Sequence, residues 1–196
     1  MSVYILAPSP SLAYSDPPFT TWQNAFSDEQ LANFIAIGEA ACPKEATIGG
    51  GTVDESIRQC KTGWLPLRPD TEQLYDTLGW VARQLNGQYY DLDLFGFVED
   101  IQYTVYGPDG DHYGWHVDKG AGERSPRKLS LVLQLSDPDE YEGGDLEVWA
   151  ENKPAAVTKQ KGLIACFPAY TLHRVTPVTK GVRRSIVVWL SGPRFR

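Results

Sequence analysis

The chain holds three histidines, His112, His116 and His173, and one of them sits two residues before a carboxylate in His116-Val117-Asp118. In an extended segment residues i and i+2 face the same side, so His116 and Asp118 can point into a barrel together. One further inward imidazole would place two nitrogens and one carboxylate on one face of a metal ion. That is the facial triad of non-haem Fe(II) oxygenases, which leaves positions open for substrate and O2. His173 lies 55 residues after Asp118, between two strand-like segments, a gap long enough to run round a barrel and return. His112 is the rival ligand. It precedes Tyr113 at the end of the turn Gly107-Pro108-Asp109-Gly110 and reads better as a solvated residue or one that supports a ligand from behind. A lone His-x-Asp often arises by chance, and a lone histidine is commonly a core or surface residue, so the weight rests on what accompanies them.

The companion is an arginine. A dicarboxylate co-substrate needs a fixed cation for its distal carboxylate, and the planar fork of arginine suits this through paired hydrogen bonds. Arg183 stands ten residues after His173, at the start of the strand-like run Val182-Arg183-Arg184-Ser185-Ile186-Val187-Val188-Trp189. Alternation puts Arg183, Ser185, Val187 and Trp189 on one face and Arg184 on the other, so only one of the two arginines can face inward. An inward arginine without a carboxylate partner would be costly; the plain alternative is that both flank the strand at the surface.

These residues need a scaffold of strands. Ile101–Tyr106, Leu129–Leu135, Asp145–Ala150, Leu163–Phe167 and Ser185–Leu190 are short, rich in β-branched and aromatic residues, and separated by Gly, Pro and Asp turns. Two helices precede them. Ser27-Asp28-Glu29-Gln30 reads as a capping box ahead of Leu31, Phe34, Ile35 and Gly38, with Pro43 as the stop. A second helix is predicted over about Asp70 to Asn86, with Asp70 as cap, Leu74, Leu78, Val81 and Leu85 at helical spacing and Asn86-Gly87 as the end. Residues 1–26 read as an irregular arm with a short strand, and 43–69 as loop around Gly49-Gly50-Gly51 with a strand near Arg58–Trp64. The fold class is therefore α+β, with a double-stranded β-helix core of jelly-roll or cupin-like type behind N-terminal supporting helices. One domain over 1–196 is expected: helical support and loops over 1–95, and a catalytic core over 96–193.

Composition narrows the function. The 196 residues carry 42% hydrophobic and 12% aromatic side chains, which is globular. The net charge of −7 and the absence of a basic stripe argue against a nucleic-acid partner; the scatter Lys119, Arg124, Arg127, Lys128 reads as a solvated loop. No stretch approaches the roughly 20 apolar residues of a spanning helix, so no membrane partner is expected. The N-terminus lacks a basic start and a long apolar run. Cys42, Cys60 and Cys166 are odd in number at unrelated spacings and read as reduced thiols in a cytoplasmic protein.

The order His116-x-Asp118, Glu142-Gly143-Gly144-Asp145-Leu146, then His173 with Arg183 ten residues on, resembles the prolyl 4-hydroxylase-like branch of the Fe(II)/2-oxoglutarate dioxygenases. That branch includes peptidyl and oxygen-sensing prolyl hydroxylases and the bacterial PKHD-type hydroxylases. The resemblance covers about Ile101 to Gly192, and Leu172–Arg183 is especially similar to the PKHD-type members. It implies Fe(II) held by His116, Asp118 and His173, and 2-oxoglutarate with its distal carboxylate on Arg183 and Tyr106. It further implies O2 as co-substrate, ascorbate as an accessory, and a pocket lined by Tyr113, Trp115, Gln134 and Trp189. Collagen-type members carry Lys where Arg183 stands, so the substrate class does not follow from that position, and the first 90 residues give no match. The activity implied is hydroxylation of a C–H bond with release of succinate and CO2. A prolyl residue in a protein or peptide is the expected substrate, with Trp64, Trp115 and Trp189 as faces for the ring and the loops 43–69 and Lys119–Lys128 flanking the mouth. The alternative substrate is a free amino acid or other small molecule. A nucleic-acid demethylase is disfavoured because Trp189 stands where that group carries a second Arg, and a metal-free cupin-type binding protein is disfavoured by the triad itself.

Overall fold

The computed structural model describes residues 17–41, 43–46 and 54–194. Most of the expected N-terminal arm, Cys42 and the Gly49–Gly51 stretch lie outside the described residues. Among the described residues two α-helices, α1 (Asp28–Ala40) and α2 (Glu72–Leu85), accompany fifteen strands in chain order: β1 Thr20–Trp22, β2 Lys44–Glu45, β3 Arg58–Gln59, β4 Lys61–Leu65, β5 Gly96–Phe97, β6 Ile101–Tyr106, β7 His112–His116, β8 Arg127–Gln134, β9 Tyr141–Gly143, β10 Leu146–Ala150, β11 Lys153–Ala156, β12 Ile164–Pro168, β13 His173–Val175, β14 Val178–Gly181 and β15 Arg183–Ser191. A larger antiparallel sheet runs β1-β12-β8-β15-β6-β4-β2, with β5 also on β15; a smaller sheet runs β11-β10-β13-β7-β3; β9 and β14 form a separate ribbon. The two sheets face one another as a double-stranded β-helix, and the helices cover the outer face of the larger one.

Strand alternation explains both cores. In β8, β12 and β15, Leu129, Leu131, Leu133, Ile164, Cys166, Ile186 and Val188 turn outward to pack with Leu31, Phe34, Leu74, Leu78, Val81 and Leu85 of the helices. The intervening Val132, Ala165 and Phe167 turn inward and meet Tyr106, Leu146, Val148 and Val175 between the sheets. The larger sheet is thus buried on both faces, and every residue of β8 is buried.

The capping box of α1 is present, with the Ser27 hydroxyl accepting from the Gln30 amide and the Gln30 side chain accepting from the Ser27 amide. Gly38 of α1 is where the helix meets the sheet most closely: a Cβ there would lie 2.3 Å from the Tyr103 ring. Helix α2 buries all four expected positions but differs at both ends. Thr71, not Asp70, is its cap residue, because Asp70 instead pairs with Arg68. At its far end the chain does not stop at Asn86-Gly87 but continues through a wider π turn over Asn86–Tyr90, ending at Asp91 in the left-handed region (φ 46°). The Asn86 side chain, bonded to both the amide and the carbonyl of Leu92, ties down that turn. No helix among the described residues is long and apolar enough to cross a membrane.

Candidate metal centre

The imidazoles of β7 and β13 meet because those strands pair with His116 opposite His173. Asp118 lies two residues past the end of β7, in a bend. It therefore owes its direction not to strand alternation but to Ser130 of β8, whose hydroxyl donates to Asp118 Oδ2 at 2.7 Å. The ligand atoms of His116, Asp118 and His173 all lie within 4.8 Å of one another. His116 Nε2 is 3.8 Å from Oδ1 and His173 Nε2 is 3.6 Å from Oδ2 of Asp118.

Each imidazole is already set for ligation. Nδ1 of His116 lies 2.8 Å from the Gly114 carbonyl and Nδ1 of His173 lies 2.9 Å from that of Thr171. A carbonyl only accepts, so Nδ1 carries the proton in both rings and the Nε2 lone pair faces the cluster. Burial, and then the His173 charge, push the His116 imidazole down to about 3, which keeps it neutral at physiological pH. Burial opposes ionisation of Asp118, but the two imidazoles and the Ser130 hydroxyl hold its carboxyl below the usual range. Two imidazole nitrogens and one carboxylate, with no thiolate, match the donor set of a divalent iron site. His112 is the first residue of β7 and not part of a loop; its Nδ1 lies 2.9 Å from the Gly110 carbonyl and it does not belong to the cluster.

The triad opens on a cavity of about 410 Å³, within the usual range for small-molecule sites. Tyr106, Ser185, Val187, Trp189 and Arg183 line it, as alternation along β6 and β15 demands. Arg183 is 1% exposed; its Nη1 donates to Ser185 Oγ at 3.2 Å, while Nε and Nη2 have no hydrogen-bond partner among the described residues. Its guanidinium carbon lies 5.2 Å from the centre of the Tyr106 ring, and the two residues are register partners. Arg184 points the other way and donates to Glu39 Oε1 at 2.8 Å. Two glycines of the Glu142-Gly143-Gly144-Asp145 segment make the room. Gly143 (φ 72°) admits the Pro177 carbonyl, which would lie 2.0 Å from a Cβ, and a Cβ on Gly144 would lie 3.0 Å from Arg183 Cδ.

Tyr113 is three residues from His116, a spacing that alternation would place on opposite faces. A register shift resolves this: Val175 pairs Tyr113 and His173 pairs His116, so β7 carries one residue more than β13 between these pairs. Tyr113 thereby stacks on His116 with ring centres 3.4 Å apart and lines the cavity. Trp115 is not a pocket residue. It turns to the outer face of the smaller sheet, edge-on to Trp149 at 5.4 Å and beneath the Arg174 guanidinium at 4.6 Å. Gln134 is not one either, since its amide donates to the Thr158 carbonyl at 2.7 Å and it does not line the cavity. Trp64, 47% exposed, does border the cavity and lies 6.3 Å from Trp189.

Two residues at the site, Arg127 and Arg58, carry no signal at their own position in the sequence, and a third, Ser130, carries one. Arg127 is not in a solvated loop: it opens β8, pairs with Glu99 through both nitrogens of its fork, and covers the Trp189 ring at 3.7 Å. Lys128 is buried in the same strand. Arg58 of β3 also lines the cavity, donating to Gln102 Oε1 at 2.9 Å. Ser130 alone could have been found, as a lone polar residue on the inward face of Leu129-Ser130-Leu131-Val132-Leu133.

Residues 101–191 match the family model of the 2OG-Fe(II) oxygenase superfamily. A PKHD-type hydroxylase of Teredinibacter turnerae is 35% identical over 152 residues, covering 72% of this chain and 63% of that protein. Another from Acidovorax ebreus is 38% identical over 99 residues, covering 44% of each. The chain thus spans less than two thirds of the length of these curated relatives. Among solved structures, a Pseudomonas putida prolyl-4-hydroxylase superposes with a TM-score of 0.73 at 19% identity, over 90% of this chain and 94% of that one. A Trichoplax adhaerens prolyl hydroxylase, solved with a hypoxia inducible factor oxygen degradation domain peptide fragment, superposes with 0.76 at 17% identity, over 89% of this chain and 84% of that one. At such identities the structural likeness establishes the double-stranded β-helix fold.

Proposed function

Because its barrel region, residues 101–191, belongs to the 2OG-Fe(II) oxygenase superfamily, we propose that this chain is a 2-oxoglutarate-dependent dioxygenase that hydroxylates a prolyl residue in a protein or peptide. The observation that carries the oxygenase reading is Arg183: a fully buried guanidinium, two of whose nitrogens have no hydrogen-bond partner among the described residues, on the cavity that holds the triad. Such a group is costly unless an anion completes it, and a dicarboxylate reaching from the metal face would do so. His116, Asp118 and His173 would hold the ion, and Arg183 with Tyr106 the distal carboxylate of 2-oxoglutarate. When bound, Fe(II) supplies the redox chemistry that couples O2 and 2-oxoglutarate to C–H hydroxylation, with release of succinate and CO2.

The chain's own part is positioning and exclusion of water. Ser130 fixes the carboxylate ligand, the Gly114 and Thr171 carbonyls fix the imidazoles, and the Arg127–Glu99 pair holds Trp189 against the cavity wall. The prolyl reading is supported by the PKHD-type relatives and by the aromatic faces of Trp64, Trp189 and Tyr113 on the cavity. Within a single domain, residues 96–193 would carry the chemistry and the preceding helices would brace the larger sheet. The test is succinate release with Fe(II) and 2-oxoglutarate across a panel of Pro-containing peptides beside free proline, lysine and arginine. Turnover of at least one peptide is expected; stimulation by a free amino acid alone would defeat the peptidyl reading and leave the oxygenase reading in place.

A further inference from the structure

The proposed activity assigns the triad and Arg183 but leaves Arg58 without a task. Arg58 is 9% exposed and lines the same cavity from β3 of the smaller sheet, whereas Arg183 lies on β15 of the larger. Its Nε donates to Cys60 Sγ at 3.1 Å and its Nη2 to Gln102 Oε1 at 2.9 Å; Nη1 has no hydrogen-bond partner among the described residues. Its guanidinium lies 4.6 Å from the centre of the Tyr113 ring, which itself stacks on His116. None of these neighbours is a carboxylate.

The cavity's charge balance points the same way. Of its buried arginines, Arg127 is neutralised by Glu99 and Arg183 is reserved for the distal carboxylate of the co-substrate. Glu123 and Arg124 sit on the open loop and are screened by water. A divalent cation and a dicarboxylate cancel, and Asp118 offsets one of the two remaining cations, Arg58 and Arg183. Among the described residues one positive charge stays uncompensated, and a buried guanidinium without a counter-charge is unfavourable. From this we propose that Arg58 binds a carboxylate carried by the primary substrate, docking it beside Tyr113 at the metal face. This rests on the oxygenase reading above and deepens it: the substrate is a carboxylate-bearing compound, in which the carboxylate belongs either to an acidic residue next to the hydroxylated one or to the α-carboxylate of a free amino acid.

The test uses protein loaded with Mn(II) and N-oxalylglycine, so that the metal and co-substrate positions are filled without turnover. Calorimetric affinities are compared within matched pairs: N-acetyl-Asp-Pro-amide against N-acetyl-Asn-Pro-amide, N-acetyl-Pro-Asp-amide against N-acetyl-Pro-Asn-amide, and L-proline against L-prolinamide. The carboxylate member of at least one pair should bind tenfold or more tightly. Arg58→Gln should erase that preference, and Arg58→Lys should retain part of it. N-oxalylglycine affinity should stay within twofold in both variants, which certifies that they are folded. No carboxylate preference in any pair, including no binding at all, overturns the proposal, as does a preference that survives in Arg58→Gln. Failure of wild-type protein to bind Mn(II) and N-oxalylglycine would instead overturn the oxygenase reading. A preference confined to the proline–prolinamide pair would remove the peptidyl substrate and keep Arg58's role.

Discussion

Asp118 and Arg183 are both buried charges, yet the fold completes only one of them. Asp118 has Ser130 and two imidazoles around it, while Arg183 keeps two nitrogens with no partner among the described residues. The difference sets two expectations. Replacing His116, Asp118 or His173 with Ala should each abolish stoichiometric metal uptake, measured by metal analysis after loading and desalting. His112→Ala should retain it, because its ring lies outside the cluster. Removing one partner of a buried ion pair costs about 3–5 kcal/mol, so Arg183→Ala should weaken 2-oxoglutarate binding by two to three orders of magnitude. Arg184→Ala, which loses only a partly exposed contact to Glu39, should change it less than threefold. Calorimetry giving the reverse order would assign the co-substrate to the wrong arginine.

Elements enter the site through their irregularities as much as through their regularity. The register shift between β7 and β13 brings Tyr113 onto His116, and the tight glycines beside β9 let the ribbon approach Arg183. On the other side of the larger sheet, the α1 contact at Gly38 against Tyr103 fixes how closely the helix layer lies. Overpacking a filled core typically costs about 1–3 kcal/mol. Gly38→Ala should therefore lower thermal stability by several degrees, although alanine is the better helix former. Thermal unfolding followed by circular dichroism decides it, and an unchanged or raised midpoint would show that Tyr103 can move aside.

For the molecule as a whole, ligands that bind only the folded state add to its stability by mass action, about 2.7 kcal/mol at a hundredfold excess over the dissociation constant. Mn(II) with N-oxalylglycine should therefore raise the unfolding midpoint of the wild-type chain. His173→Ala should show no such rise, and Arg183→Ala should respond to the metal while losing the increment from N-oxalylglycine. Differential scanning of the three proteins under the four ligand conditions separates metal binding from co-substrate binding without any measurement of turnover.

The sequence by itself determined the parts whose chemistry is local or periodic. His116 and His173, the inward face Arg183-Ser185-Val187-Trp189, the capping box at Ser27 and the apolar stripe of α2 all follow from residue type and a period of two or 3.6, since backbone geometry fixes which side chains share a face. Where the period breaks, only the tertiary structure decided. Tyr113 faces inward only because of a bulge whose partner strand is about sixty residues away, whereas Trp115, next to the inward His116, faces outward by alternation alone. Gln134, although inward by parity, is taken by the Thr158 carbonyl. Arg127 is buried because Glu99, 28 residues earlier, neutralises it. Arg58 shares a cavity with the triad only because β3 pairs with β7. Pairings at such separations arise from chain crossings that no window of sequence contains, and a charge becomes affordable in the interior only when those crossings deliver its partner.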